Sequence, residues 1–87
     1  MIRIRSCRVN GRRWRVAWDV PNGDLGLCEH DQHTIRINPK MDNPATTDTL
    51  IHEWLHARWP DLDEASVYTS ATEISAMLER AGLIAED

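Results

Sequence analysis

Apolar residues in the first part of the chain recur mostly at every second position, which is the period of a β-strand. They are Ile2, Ile4, Cys7, Val9, Trp14, Val16 and Trp18. Asn10-Gly11 separates two such runs and favours the positive φ angles of a tight hairpin. Because the phase changes between Ile4 and Cys7, we predict a bulge near Arg5-Ser6 or a three-residue turn that uses Gly11. Either the bulge or the turn would place Ile2, Ile4, Val16 and Trp18 on the same face of the hairpin.

Two further short strands are predicted after this hairpin. Pro21-Asn22-Gly23-Asp24 is typical of a turn, because each of its residues favours turn geometry. Positions 25–29 and 33–37 then predict strands on either side of His30-Asp31-Gln32. The second strand is the better defined, since its β-branched residues alternate with polar ones. Asn38-Pro39 ends it.

A first helix is predicted to begin after this strand pair. Asn43 is the expected N-cap and Pro44 the expected first helical residue. The helix should continue to about Trp59, because Pro60 cannot extend it. Its apolar residues surround it almost entirely, which predicts a largely buried helix. They are Leu50, Ile51, Trp54, Leu55, Ala57 and Trp59.

A second helix is predicted to begin at an N-cap provided by Asp61 or Asp63 and to run to about Arg80, with Gly82 at its C-terminal end. Its apolar stripe has a spacing near 3.5 and consists of Val67, Ala71, Ile74, Leu78 and Ala81. About four residues separate the two helices, so we expect an antiparallel helical hairpin. Strands followed by helices predict an α+β domain: a small antiparallel or mixed sheet of three or four strands on two antiparallel helices.

Composition and cysteine content narrow the class of protein. The 87 residues are 41% hydrophobic and 28% charged, which is typical of one folded domain spanning positions 1–87. Cys7 and Cys28 allow at most one disulfide, so a disulfide scaffold is excluded and we expect both thiols to be reduced in the core. No apolar run approaches a membrane span or resembles a signal peptide. We therefore expect a cytoplasmic protein with no membrane partner.

The net charge of −4 conceals an asymmetry along the chain. The first 18 residues carry six arginines and no acidic residue, whereas the rest carries four basic and fourteen acidic residues. A basic end is typical of proteins that bind nucleic acid or another anionic partner. Arginines that alternate with apolar residues also form the solvated face of an ordinary strand, and from sequence alone we favour this second interpretation.

The pentapeptide His52-Glu53-Trp54-Leu55-His56 carries the clearest chemical signal in the chain. It is an H-E-x-x-H pattern in the middle of the first predicted helix. Residues four apart project from the same helix face, so the two imidazoles can bind one zinc ion. Glu53 lies beside them and can act as general base toward a water at the open coordination position. Two histidines and a carboxylate on a buried helix would be costly without a metal ion.

The segment from Thr49 to Ala57 resembles the active-site helix of zincin metallopeptidases. The wider order of Gly26-Leu27-Cys28, the strand at 34–37, the motif helix and the run from Pro60 to Glu64 resembles the short SprT-like and ImmA/IrrE-like proteins of phages and prophages. This resemblance covers positions 24–82. It implies a zincin-like fold, one zinc ion per chain, hydrolysis of a peptide or protein substrate, and the host cytoplasm for a phage-encoded protein. It also implies that the strand at 33–37 borders the substrate cleft, where an extended peptide can pair with it.

A third protein ligand for zinc, if the site has one, must come from outside the motif helix. No histidine follows His56, so the later histidine of SprT proteins and the metzincin extension are both absent. A carboxylate on the second helix remains, and the candidates are Glu64, Asp63 and Glu73. We favour Glu64, because it lies on the same side as Val67 and faces the first helix. The helix dipole also favours a carboxylate in the first turn, which explains Glu64 without a metal ion.

Three other side chains are weaker candidates. His30 and His33 are placed to approach the metal from the strand side, or they are ordinary polar residues flanking a turn. Tyr68 is placed to donate a hydrogen bond to an oxyanion, or it fills the helix interface. Two other functions also fit the sequence: a zinc-stabilised interaction module with little turnover, and a regulatory nucleic-acid binder that uses the N-terminal arginines.

Overall fold

Four short strands precede two long helices in the computed structural model, which describes residues 1–85. The elements are β1 (Ser6–Val9), β2 (Arg12–Ala17), a single 3₁₀ turn (Pro21–Gly23), β3 (Gly26–Glu29), β4 (Thr34–Ile37), α1 (Asn43–Arg58) and α2 (Glu64–Arg80). The predicted α+β class is confirmed. None of the helices in the described residues has the length and apolar character needed to cross a membrane.

The strands form one mixed sheet in the order β1-β2-β4-β3. β1 and β2 are antiparallel, β2 and β4 are parallel, and β4 and β3 are antiparallel. β4 therefore lies inside the sheet, with a strand on each side, while β1 and β3 are the edges. The parallel pairing of β2 with β4 joins two antiparallel hairpins, β1-β2 and β3-β4, into one sheet. The loop that contains the 3₁₀ turn connects these hairpins along the chain.

The first hairpin has a two-residue turn. Val9 pairs directly with Arg12, and the two residues between them, Asn10 and Gly11, have φ angles of 52° and 76°. Positive φ at both central positions matches the right-handed twist of the strands, which explains the Asn-Gly sequence. The predicted bulge and the alternative three-residue turn are both absent from this hairpin.

The predicted face shared by Ile2 and Ile4 with the second strand is also wrong. Strand pairing begins only at Ser6, so the first residues lie outside the ladder and leave Ile2 86% and Ile4 42% exposed. Ile4 nevertheless lines an apolar cleft with Cys7, Ile35 and Trp54, so its placement toward the core is partly as predicted. The Trp18 indole also donates a hydrogen bond to the Ile4 carbonyl at 2.9 Å. The phase change between Ile4 and Cys7 thus marks the start of the strand.

Helix α1 covers the inner face of the sheet and completes the main core. The buried side chains of this core are Val9, Trp14, Val16, Ile35, Ile37 and Ala57. The Trp54 indole crosses to the hairpin and donates to the Arg8 carbonyl at 2.8 Å. Asp42 is the N-cap, since its carboxylate accepts from the Ala45 amide at 2.9 Å, so the expected cap Asn43 is one residue too late.

Helix α2 packs against α1 and, within the described residues, approaches no strand closely. Of the two predicted caps the structure selects Asp63, which accepts from the Ser66 amide. The predicted C-terminal end is confirmed, with Gly82 at a φ of 72°. Only the first half of the predicted stripe is buried: Val67 and Ala71 are fully covered, whereas Ile74 is 36% exposed.

Val67 therefore anchors α2, and replacing it should loosen the helix pair. We expect Val67→Ala to lower the free energy of unfolding by about 2 kcal/mol, because the lost methyl groups leave a cavity against Leu55. Urea denaturation with a metal chelator present measures this change. The control is Met77→Ala, which truncates a larger side chain that is 61% exposed on the same helix and should change stability little. Equal losses in the two variants would contradict the packing described.

Candidate metal centre

Three side chains from the two helices converge on one point. Nε2 of His52 lies 2.9 Å from one carboxylate oxygen of Glu64, and Nε2 of His56 lies 2.9 Å from the other. The two Nε2 atoms are themselves 3.2 Å apart. These three residues form the one group in the described chain whose histidine, cysteine and carboxylate atoms lie close enough together to hold a metal ion.

The local sequence explains why these side chains meet. His52 and His56 are four residues apart on α1, so their imidazoles lie one above the other on one face. Pro60 follows the last turn of α1, and Asp63 caps α2 after a short connection. Glu64 is consequently in the first turn of α2, where the chain has just returned toward the histidines.

The three contacts are mutually incompatible as hydrogen bonds. A neutral imidazole carries a hydrogen on one ring nitrogen only, and each histidine must place it on Nε2 to donate to Glu64. The 3.2 Å contact between the two Nε2 atoms then brings two N–H groups together, and neither is an acceptor. A cation at the same point removes the conflict, since two nitrogen lone pairs and a carboxylate all become ligands.

The donor set and its spacing fit zinc. Two imidazole nitrogens and a carboxylate oxygen form a common catalytic zinc set, which leaves one coordination position open. Ligand atoms at about 2.0–2.1 Å from a tetrahedral ion are roughly 3.3 Å from each other. The observed separations of 2.9 and 3.2 Å are close to that value. His52, His56 and Glu64 are therefore the residues that would hold the ion.

Glu53 lies beside this group in a different environment. Its side chain is only 7% exposed, and burial raises its pKa from 4.5 to about 7, partly offset by His52 and reinforced by Glu64. Gly26 of β3 lies against it, because a Cβ atom there would be 2.9 Å from a Glu53 carboxylate oxygen and 2.7 Å from the Thr49 methyl group. The close approach of β3 thus requires glycine and shields the carboxyl group from water.

Two clefts adjoin the site and share Gly26, His52 and Glu53. One has a volume of about 310 Å³ and is also lined by Asp24, Leu25, Asp48, Thr49 and Tyr68. The other has a volume of about 370 Å³ and is also lined by Leu27, Cys28, His30, His56 and Glu64. Glu53 and His52 therefore lie at the junction of a continuous groove along β3.

The strand that borders this groove is β3, not the predicted strand at 33–37. β4 pairs with β2 on one side and β3 on the other, so both of its edges are occupied. Strand adjacency in a mixed sheet is set by long-range pairing, which the local alternation of residues does not encode.

The structure separates the remaining candidates. Asp63 and Glu73 are not in the converging group: Asp63 caps α2, and its hydrogen bonds to Ser66 lower its pKa, while Glu73 lines a separate cavity beside Met77. Tyr68 is 63% exposed and lines the groove, so it does not fill the helix interface. The remaining two candidates, His30 and His33, lie on the side of the strands.

Of the two histidines on the strand side, only His30 reaches the groove. Its Nε2 is 3.7 Å from the sulfur of Cys28, whose pKa is raised to about 12, chiefly by burial. His33 packs edge-on against Trp14 with ring centroids 5.2 Å apart. Neither histidine belongs to the converging group.

Sequence reasoning missed Asp24 and Asp48, which contribute two carboxyl groups to one end of the groove. Asp48 precedes His52 by one helical turn, and its Oδ1 is buried without a hydrogen-bond partner among the described residues. The i, i+4 spacing between Asp48 and His52 was the available signal, because it places the carboxyl group on the face of the motif.

Comparisons with known proteins add nothing to this geometry: no family model, no curated protein and no solved structure matches the chain. The interpretation of the site therefore depends on its own residues.

Burial of Glu53 makes the stability of the metal-free protein depend on pH. The folded state keeps this proton up to about pH 7, whereas the ordinary pKa of a glutamate in the unfolded chain is 4.5. The folded state thus binds more protons between these values, and stability falls as the pH rises through this window. We expect Glu53→Gln, which stays neutral, to exceed the parent by roughly 3 kcal/mol at pH 8 and nearly to match it at pH 4.5.

Urea unfolding in the presence of a chelator, repeated across this pH range, measures the difference. The exposed Glu79→Gln on α2 serves as control and should show no such trend. A constant gap between Glu53→Gln and the parent at every pH would show that the Glu53 carboxyl group is not the titrating group.

Proposed function

We propose that the protein is a zinc-dependent metallopeptidase of zincin type. The observation that carries this proposal is the convergence of His52, His56 and Glu64 on one point, with the buried Glu53 carboxyl group next to it. A purely structural zinc site commonly has four protein ligands, whereas this donor set leaves a position open beside a groove. An open position, an adjacent proton acceptor and a groove are the requirements of a hydrolytic site.

Zinc bound by these residues supplies a Lewis acid that polarises a carbonyl group and lowers the pKa of water. The histidines and Glu64 fix the position of that charge relative to the groove. Because the ligands come from both helices, the same ion also ties α2 to α1.

Glu53 is the proton-transfer residue. A general base works best when its pKa is near the working pH, and burial raises the pKa of Glu53 to about 7 in the metal-free protein. Its carboxylate accepts a proton from the attacking water, and the resulting acid donates it to the leaving amine. The backbone of β3 at Gly26 packs against this side chain, so its position is restricted before substrate arrives.

The substrate is an extended peptide that lies along β3. This strand is a sheet edge, so its outer backbone groups are available to pair with an added strand. Gly26, Leu27 and Cys28 line the groove beside His52 and Glu53. Tyr68 lies across the groove from Gly26 and is the side chain placed to donate a hydrogen bond to the developing oxyanion.

Zinc affinity tests the ligand set directly. We expect Glu64→Ala to weaken zinc binding by roughly 100-fold or more, since loss of outer-shell partners alone costs 10–100-fold. Glu73→Ala removes the same charge further along α2 and should leave the affinity unchanged. Competition with a chromophoric chelator measures both. A loss in Glu73→Ala but not in Glu64→Ala would overturn the assignment of Glu64.

Hydrolysis tests the role of Glu53. We expect Glu53→Gln to retain one zinc per chain and to lose about 10²–10⁴-fold in kcat, because the amide accepts no proton. Cleavage of an unfolded protein substrate, followed by mass spectrometry, provides the readout. Equal activity in Glu53→Gln would remove Glu53 from the mechanism. A parent that binds zinc but cleaves no substrate would support the zinc-stabilised interaction module instead.

A further inference from the structure

The N-terminal hairpin presents a cluster of arginines on the face of the sheet opposite α1. Arg8 on β1 and Arg13 on β2 are directly opposite each other in the ladder. Arg15 is two residues further along β2 on the same face, about 6.8 Å from Arg13. All three side chains are exposed. Arg5, just before β1, and Arg12, opposite Val9, are also exposed, but strand alternation does not place them on this face. Arg8, Arg13 and Arg15 form what we term the arginine face.

Carboxylates neutralise one half of this sheet face and not the other. Arg36 on β4 forms ion pairs with Asp19 and with Glu29, the latter at 2.6 Å. In the described residues, neither the arginine face nor the neighbouring Arg5 and Arg12 form an ion pair with a carboxylate. The one side-chain hydrogen bond from these arginines in that part of the chain is donated by Arg8 to the Gly11 carbonyl at 3.0 Å. The positive charge of the hairpin is therefore available to an external anion.

The arrangement is unfavourable for the isolated protein. Like charges directly opposite each other on neighbouring strands destabilise a sheet, and Arg8 and Arg13 occupy such a pair. Five unpaired arginines on one hairpin add further repulsion. A solvated strand face needs no such concentration of one charge, so the cluster is better explained by a ligand that supplies the missing negative charges.

A cleft at one end of the cluster extends this surface. It has a volume of about 340 Å³ and is lined by Arg5 and Arg15 together with Val16, Ala17, Trp18 and Asp19. Its two arginines come from β2 and from the residue just before β1, which is suitable geometry for holding one phosphate between two guanidinium groups. The cleft lies outside the metal centre and shares no residue with it.

The spacing and chemistry favour a phosphodiester chain over a membrane surface. Every cation of the cluster is an arginine, and guanidinium groups bind phosphate oxygens in a bidentate manner. The positions are fixed by strand pairing in a two-stranded ribbon, an element that the major groove of DNA admits. The outward positions Ser6, Arg8, Arg13 and Arg15 include no apolar side chain that would add insertion into lipid to the charge attraction.

We propose that the arginine face binds the phosphate backbone of nucleic acid without sequence preference. Backbone binding delivers the protein to targets associated with nucleic acid, while the groove on the helix side remains accessible. The proposal does not depend on zinc or on hydrolysis. It can therefore be confirmed or rejected independently of the proposed peptidase activity.

Fluorescence anisotropy with a short labelled DNA duplex of mixed sequence tests this proposal, with single-stranded DNA and RNA of the same length as further probes. We expect binding that weakens steeply between about 50 and 200 mM salt, because each neutralised phosphate contributes about 0.9 to the slope of log K against log salt concentration. Arg13→Gln/Arg15→Gln should lower that slope by roughly 1.8 and weaken binding at least about tenfold at low salt.

A matched control removes the same amount of positive charge from a different part of the surface. Lys40→Gln/Arg80→Gln replaces two exposed cations outside the hairpin and should keep the parent slope. Equal weakening in both double variants would show that only net charge matters and would overturn the proposal. So would absence of salt-dependent binding to all three probes, or binding to phosphatidylserine vesicles without binding to nucleic acid.

Protein stability separates a binding role from a structural one. Arg8→Gln removes one member of the opposed pair, so we expect its free energy of unfolding to equal or exceed that of the parent while DNA affinity falls. A less stable Arg8→Gln protein with unchanged DNA affinity would show that Arg8 supports the fold and not a ligand.

Discussion

The fold depends most on how helix α2 is held against α1. The second helix buries little apolar surface, since Val67 and Ala71 are its only fully covered side chains among the described residues. It approaches α1 and no strand. The convergence of Glu64 on His52 and His56 is the other connection between the helices. In a domain this small, an ion bound at that point would add its binding free energy to the stability of the helix pair.

The position of β3 links the sheet to the chemistry of the site. β3 is an edge strand, and Gly26 lets it approach α1 closely enough for a Cβ to collide with Glu53 and Thr49. That approach buries Glu53 and raises its pKa. The same edge leaves one side of β3 free for an extended ligand. One glycine thus affects both the proton affinity of the proposed base and the shape of the groove.

Local signals in the sequence predicted the local features well. The Asn10-Gly11 turn, the two helices and the facing of His52 and His56 all follow from spacing within a few residues. The N-cap of α1 was wrong by one residue, because Asp42 and Asn43 are both good caps and only geometry selects between them.

Features that depend on contacts between distant segments of the chain could not be predicted from local patterns. The interior position of β4 depends on a parallel pairing with β2 between residues 19 positions apart, such as Arg15 and Thr34, and no local pattern signals such pairing. The exposure of Ile2 and the position of Asp48 in the groove were not predicted for the same reason. Both depend on how strands and helices that are distant in sequence pack together. The helix face of Glu64 favoured it over Asp63 and Glu73, but its approach to the histidines depends on how the helices pack, which the sequence did not give.

The sheet also separates two charged regions that would otherwise neutralise each other. Arg8, Arg13 and Arg15 are on the face of the hairpin opposite α1, whereas the proposed metal ligands and Glu53 are on the helix side. The shortest dimension of the molecule is 24 Å, about three times the Debye length of roughly 8 Å at physiological salt. Arg36, held by Asp19 and Glu29, adds no free charge between the two regions. A cationic surface and a zinc-binding groove can therefore coexist in a chain whose net charge is −4. Salt screens the charges on the far side, so a nucleic acid or a peptide interacts mainly with the charges of the face that it approaches.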